Sequence, residues 1–265
     1  CNARVLSQGR LIPQASTVVC SQGLIRWIGS DYDLTKVRRA DVRVIDCENR
    51  VLIPGFVDAH LHLLAYASSL IGVDCGEDTV RSISDIRDNL ARRALLIPEG
   101  KWLRGFGYHD SLLKEGRHPD RHDLDQASNS RPIRLNHLSS HASVLNSLGL
   151  RLVGIDNETP DPVDGIIERD PITHEPTGLL LEMGGFLDRH IPSLTWDELS
   201  TGVRLANRRL ISQGITSIHD ASPSNSLERW DMLLRQREEG SIYPWIHLMP
   251  GIGHLDEFSE RGMYF

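Results

Sequence analysis

The segment from Val51 to Leu63 reads Val-Leu-Ile-Pro-Gly-Phe-Val-Asp-Ala-His-Leu-His-Leu, and it constrains this chain more than any other. An apolar run passes through Pro54-Gly55 into a short extended stretch that ends in His60-Leu61-His62. Side chains alternate along a strand, so the spacing predicts that His60 and His62 share one face, one pleat apart. Two neutral imidazoles so placed can both reach one divalent metal, and zinc, iron and nickel all accept such ligands. Asp58 has two readings: a carboxylate that orients a ligating imidazole, or one that holds the turn.

Five further segments matter. They are Lys101-Trp102-Leu103-Arg104-Gly105-Phe106-Gly107, then Pro119-Asp120-Arg121-His122-Asp123-Leu124-Asp125, then Arg131 to Leu135 running on to His141 and Asn146-Ser147. Pro176-Thr177-Gly178-Leu179-Leu180-Leu181-Glu182 and Gly214-Ile215-Thr216-Ser217-Ile218-His219-Asp220 complete the set. With the His-x-His stretch, and in this order, they resemble the YtcJ-like branch of the amidohydrolase superfamily, the amidohydrolase 3 family. The resemblance runs over nearly the whole chain.

It implies an α/β fold: a partial TIM (β/α)8 barrel, first strands only, with an N-terminal β-sandwich portion over residues 1–52. Residues 53–265 would then hold the barrel part, with an α+β insertion at about 101–190 capping the mouth of the site. Barrel enzymes build their sites at the C-terminal ends of the strands, where His60 and His62 fall. The resemblance further implies hydrolysis of a carbon–nitrogen bond other than a peptide bond, in a small amide, formamide or cyclic amide. One or two divalent metals, Zn2+ first among them, would activate water. A bridging carboxylated Lys, two more His and an Asp would lie after residue 265, so the chain reads as the N-terminal half of a larger enzyme. The rivals are a deaminase or esterase of the same superfamily, or a truncated, non-catalytic interaction module.

Local patterns agree with that outline. Ala3–Leu6, Thr17–Cys20, Leu24–Ile28 and Val42–Asp46 read as strands, with a turn at Ser21-Gln22-Gly23 and a short helix over Asp33–Arg39. Ser82–Leu96 has helical spacing with Ile83, Ile86, Leu90 and Leu95/Leu96 on one side. Short strands are expected at Trp102–Phe106, Ile133–Asn136, Gly165–Arg169 and Gly178–Leu181. Thr195 to Gln213 carries a capping-box pattern, Thr195 with Glu198, ahead of an apolar stripe through Leu199, Val203, Leu205/Ala206 and Leu210. Ile215–Asp220 and Tyr243–Met249 read as parallel strands around a Ser226–Glu239 helix.

Several residues on these elements are candidates for chemistry. His60 and His62 are the metal ligands. Glu182 is a candidate catalytic acid or base, or else a salt-bridge partner of Arg169 or Arg189. Asp220 is the second catalytic candidate, on the footing that of His219 and Asp220 only one can point inward. His141 matches a substrate-contacting His of the family's Gly-His segment, with Ser140 in place of the glycine; its alternative is a loop anchor beside Asn146. His137 is a weaker candidate. Tyr108 and His109, followed by Asp110, are expected beside the substrate, the alternative being a solvated loop. Trp27 and Trp102 are expected as core anchors.

Charge narrows the partners. A net charge of −7 without a Lys/Arg block disfavours a nucleic-acid surface, and no apolar run is long enough to span a bilayer. Cys1, Cys20, Cys47 and Cys75 form no metal-type spacing and read as reduced thiols of a cytoplasmic protein, Cys75 as a small buried hydrophobe. The expected partners are a small-molecule substrate and, in the full-length protein, a second copy of itself.

Overall fold

The computed structural model describes residues 1–31 and 42–263. The N-terminal unit is built on two tight hairpins. Arg4–Ser7 pairs with Arg10–Leu11, and Thr17–Ser21 with Leu24–Gly29, each antiparallel. Both turns are Gln-Gly pairs with positive φ at both positions, Gln8 and Gly9 in one, Gln22 and Gly23 in the other. Such turns match the right-handed twist of the strands they join. Arg4–Ser7 also pairs in parallel with Val51–Leu52, and Ala3, Val5 and Ala15 form the small core. Val42–Asp46 is not a strand: isolated bonds join it to the N-terminus, such as the Cys1 amine to the Ile45 carbonyl at 2.9 Å, and no ladder forms. The helix expected at Asp33–Arg39 lies outside the described residues. Trp27 and Trp102 are half-buried, and Trp102 packs against the core of the next unit.

That unit is a six-stranded mixed sheet. Its order is Ile166–Arg169, Pro176–Leu181, Ala142–Leu145, Ile133–His137, Leu103–Tyr108, Val73–Asp74. The first three pairings are antiparallel and the last two parallel. The excursion therefore starts at Val73, well before residue 101. A two-residue strand has no period to read, and only its pairing with Gly105 and Phe106 reveals it. Helix Ile83–Ala94 belongs here too, burying Ile83, Ile86, Leu90 and Ala94 against Leu103, Ile133 and Leu135. It is capped by Ser82, whose side chain accepts the Asp85 N–H, and it stops at Ala94. Leu95 and Leu96, expected on the buried stripe, are exposed. Cys75 is fully buried in this core, and burial pushes its thiol pKa up to about 12. All four cysteines are free thiols.

The third unit carries the His-x-His strand. Phe56–Leu61, Ile215–Asp220 and Trp245–Leu248 form a parallel sheet with Ile215–Asp220 in the centre, so spatial order follows chain order. Among the described residues these strands form an open sheet, not a closed barrel. The helix after the first strand is Leu63–Ile71. Its sequence, LLAYASSLI, merges into the preceding apolar run and its N-cap residue makes no side-chain cap bond, so neither period nor capping signal marks it. Helix Trp196–Ser212 has the expected capping box: Thr195 accepts from the Glu198 N–H, and Glu198 from the Thr195 N–H. Its Val203, Ala206 and Leu210 pack with Leu63, Ala67, Ile218 and Leu233 into the unit's core. Helix Leu227–Glu238, capped by Ser226, completes the layer. Among the described residues no helix is long and apolar enough to cross a membrane.

Candidate active site

His60 is the next-to-last residue of its strand; His62 lies just past the strand end, at the N-cap position of the helix that follows. Their rings nonetheless meet edge to face, with centroids 5.1 Å apart and planes at 76°. The Asp58 carboxylate accepts the His60 backbone N–H at 3.1 Å, so it holds the chain at the strand end. His62 Nδ1 lies 3.3 Å from the Ser222 hydroxyl, which leaves Nε2 for another partner. A ligating imidazole needs this arrangement, one nitrogen held and the other free. The donor set therefore suits a divalent transition metal.

Asp220 stands behind that contact. By alternation it shares a face with Ile218, which sits in the helix-packed core, and it is itself buried. One carboxylate oxygen accepts the Leu63 N–H at 3.0 Å; the other accepts the Ser222 N–H at 3.0 Å and the Asn225 side-chain amide at 3.1 Å. The inward-facing acid expected here is instead a buried anchor on the helix side, its oxygens occupied by the donors that surround it. His219 points to the other face, where its ring lies 4.9 Å from that of His247 on the neighbouring strand.

A cleft of about 1520 Å³ opens between this sheet end and the six-stranded unit. His60, His62, Tyr66 and Ser222 line one side; Arg104, Phe106, Asn136 and His137 line the other. Arg104 is held by the Pro192 carbonyl at 2.7 Å and Arg134 by Asp188 at 3.0 Å. Burial pulls the Arg104 guanidinium below its ordinary pKa, with Glu198 opposing.

Glu182 and His141 form a pair of their own. His141 Nδ1 lies 3.0 Å from the Glu182 carboxylate, and the Glu182 N–H donates to the His141 carbonyl at 2.8 Å. Both side chains are exposed, and the partner of Glu182 is thus His141, not Arg169 or Arg189. Arg169 instead donates to the carbonyls of Asp156, Asn157 and His174. Ser140, beside His141, reaches the cleft.

Tyr108 departs furthest from expectation. It is fully buried in the core of the six-stranded unit, its hydroxyl 2.9 Å from His118 Nδ1, and burial pushes its pKa up. It supports the residues around it and does not face a substrate. His109 belongs to a cluster centred on Asp110, whose carboxylate lies 3.2 Å from His137 Nε2, 3.7 Å from His109 Nδ1 and 3.9 Å from His118 Nε2. Burial acts to raise the Asp110 pKa, but the imidazoles of His118, His137 and His109 hold it below the ordinary value. His137 is held down, first by burial. The cluster forms because Leu103–Tyr108 and Ile133–His137 are adjacent parallel strands with Tyr108 opposite His137. His-Asp at one strand end and Asn-His at another are visible in the sequence; their adjacency is not.

Residues 43–259 match the model of the amidohydrolase family. The chain belongs to that family. It is 33% identical over 215 residues to the N-substituted formamide deformylase of Arthrobacter pascens, covering 78% of this chain and 39% of that protein. It is 31% identical over 185 residues to the exoenzymes regulatory protein AepA of Pectobacterium carotovorum subsp. carotovorum, covering 68% of this chain and 40% of that one. The chain thus spans about two fifths of these relatives. Among solved structures, an uncharacterized metal-dependent hydrolase from Pyrococcus furiosus superposes with a TM-score of 0.71 at 24% identity, over 98% of this chain and 51% of that one. That likeness establishes a shared fold.

Proposed function

We propose that this chain supplies the first strands of a TIM-type barrel and two metal ligands to a cytoplasmic, metal-dependent hydrolase of small amides, formamides or cyclic amides. The observation that carries the reading is the ring-to-ring approach of His60 and His62 at a strand end, on the wall of the cleft. A divalent metal held by His60 and His62, Zn2+ in the first instance, would supply an activated water and polarise the scissile carbonyl. The residues of this chain hold and orient. His60 and His62 present imidazole nitrogens, Ser222 fixes the His62 ring, and Asp220 fixes Ser222 and the helix that begins at Leu63. Asp220 acts through position and not by proton transfer. The carbon–nitrogen substrate class rests on family membership and on the deformylase relative.

The test measures metal content and hydrolysis of N-substituted formamides together in the whole protein. His60→Ala and His62→Ala should each lower metal occupancy and kcat in parallel, because metal ligands control both. Unchanged metal and unchanged rate in both variants would overturn the assignment.

A further inference from the structure

The cluster around Asp110 is built on the six-stranded sheet, apart from the parallel sheet that carries His60, and takes no part in holding a metal at His60 and His62. We propose that His109, Asp110 and His137 form a second binding site, for a divalent transition-metal ion, on the six-stranded unit.

One ligand atom from each of the three residues lies within 4.8 Å of the other two. Two of the separations are shorter, 3.2 Å from Asp110 to His137 and 3.7 Å from Asp110 to His109. Ligands at ordinary zinc distances around a tetrahedral ion stand about 3.3 Å apart, so the triad closes on an ion with small side-chain movements. Two imidazoles and one carboxylate suit zinc and its first-row neighbours, whereas calcium and magnesium prefer all-oxygen shells.

The surroundings are those of a built site. Ser139 holds His137 Nδ1, with its hydroxyl at 2.8 Å and its backbone N–H donating at 3.1 Å, and leaves Nε2 facing Asp110; Ser111 Oγ, 3.0 Å from His109 Nδ1, is the group an ion would displace there. A contact to the non-ligating nitrogen, as Ser139 makes to His137, fixes the orientation of a ligating ring. His118 approaches the other Asp110 oxygen, and its ring is held by the Tyr108 hydroxyl. All three ligands are half-buried, open enough for an ion to enter.

The placement also assigns a task. His109 and Asp110 begin the loop that leaves strand Leu103–Tyr108, and His137 ends the neighbouring strand and lines the cleft. An ion bridging them pins that loop to the cleft wall. The site is a positioning device and is independent of the His60–His62 assignment.

The test is equilibrium dialysis of the full chain against Zn2+, followed by elemental analysis, with Co2+ absorption reporting the ligand set. A His60→Ala/His62→Ala double variant removes the other candidate site. It should still take up one equivalent, and adding Asp110→Asn or His109→Ala should weaken that uptake by at least about 100-fold. Ser139→Ala in the same background should weaken it about 10-fold. His109→Ala removes a half-exposed ring, so its metal-free melting temperature should match that of the background, which separates loss of a ligand from loss of the fold. No uptake by the double variant, or uptake insensitive to both Asp110→Asn and His109→Ala, would overturn the proposal.

Discussion

The carboxylate of Asp220 accepts the backbone N–H of Leu63 at 3.0 Å, across 157 positions of sequence. Leu63 opens a helix whose own N-cap residue, His62, makes no side-chain cap bond. The end of one strand thus caps the helix that leaves the end of its neighbour, and His62 is caught between them. Asp220→Ala leaves two buried backbone donors, the Leu63 and Ser222 N–H groups, without an acceptor and a helix without its cap. The expected cost is about 2–4 kcal/mol of stability, measurable by denaturant titration. Metal affinity should fall about 10- to 100-fold in the whole protein, as for other supports of ligating histidines. A variant as stable as the parent would remove the anchoring role.

Gly202 sets the approach of the two helices that flank the parallel sheet. A Cβ at that position would sit 2.9 Å from the Ala67 carbonyl carbon and closer still to its oxygen. Gly202→Ala sets a helix-propensity gain of about 1 kcal/mol against a clash with backbone, which cannot rotate away. Overpacking of this kind costs about 1–3 kcal/mol, so net destabilisation is expected. A higher melting temperature for Gly202→Ala would show that the helices separate freely.

Ser140 adopts a φ of +65°. The left-handed region is costly for any residue with a Cβ, and glycine occupies it without that penalty. Ser140→Gly should therefore stabilise the protein by about 0.5–1 kcal/mol, less the entropy that glycine adds to the unfolded chain. Chemical denaturation of the two forms decides it; a less stable glycine variant would mean that the serine side chain makes a net contribution.

Glu198 gives a pH dependence with a definite sign. The Thr195 N–H bonded to its carboxylate is the main reason its pKa lies below the ordinary 4.5, with burial opposing and the Thr195 hydroxyl adding to the depression. A depressed carboxylate stabilises the fold above its unfolded pKa and loses that contribution as pH falls through the folded value. The stability difference between the parent and Glu198→Gln should be largest near neutral pH and shrink below about pH 4.5. Parallel pH–stability curves for the two proteins would exclude the capping box as its source.

Period and punctuation made much of the architecture legible in advance. Thr195 with Glu198 marked a helix start, Ser226 another, and Ile215–Asp220 read as a strand because capping and β-branched runs act over a few residues. The proximity of His60 and His62 was legible for the same reason, since a spacing of two is a local quantity. Where no period exists the sequence carries no such signal: Val73–Asp74 is two residues long, and Leu63–Ile71 is apolar along most of its length.

The family resemblance and the candidate ligands His60 and His62 are legible from residue types at short spacings. Tertiary structure decided which side chains are available for chemistry. Alternation established that His219 and Asp220 part company, but only packing against the Leu63–Ile71 helix decided which of them is buried. Tyr108 became a core residue and His109 a neighbour of His137 through one parallel pairing between strands about thirty residues apart. Pairing and burial are settled by surfaces that meet only in the folded chain, between segments whose local patterns carry no record of each other.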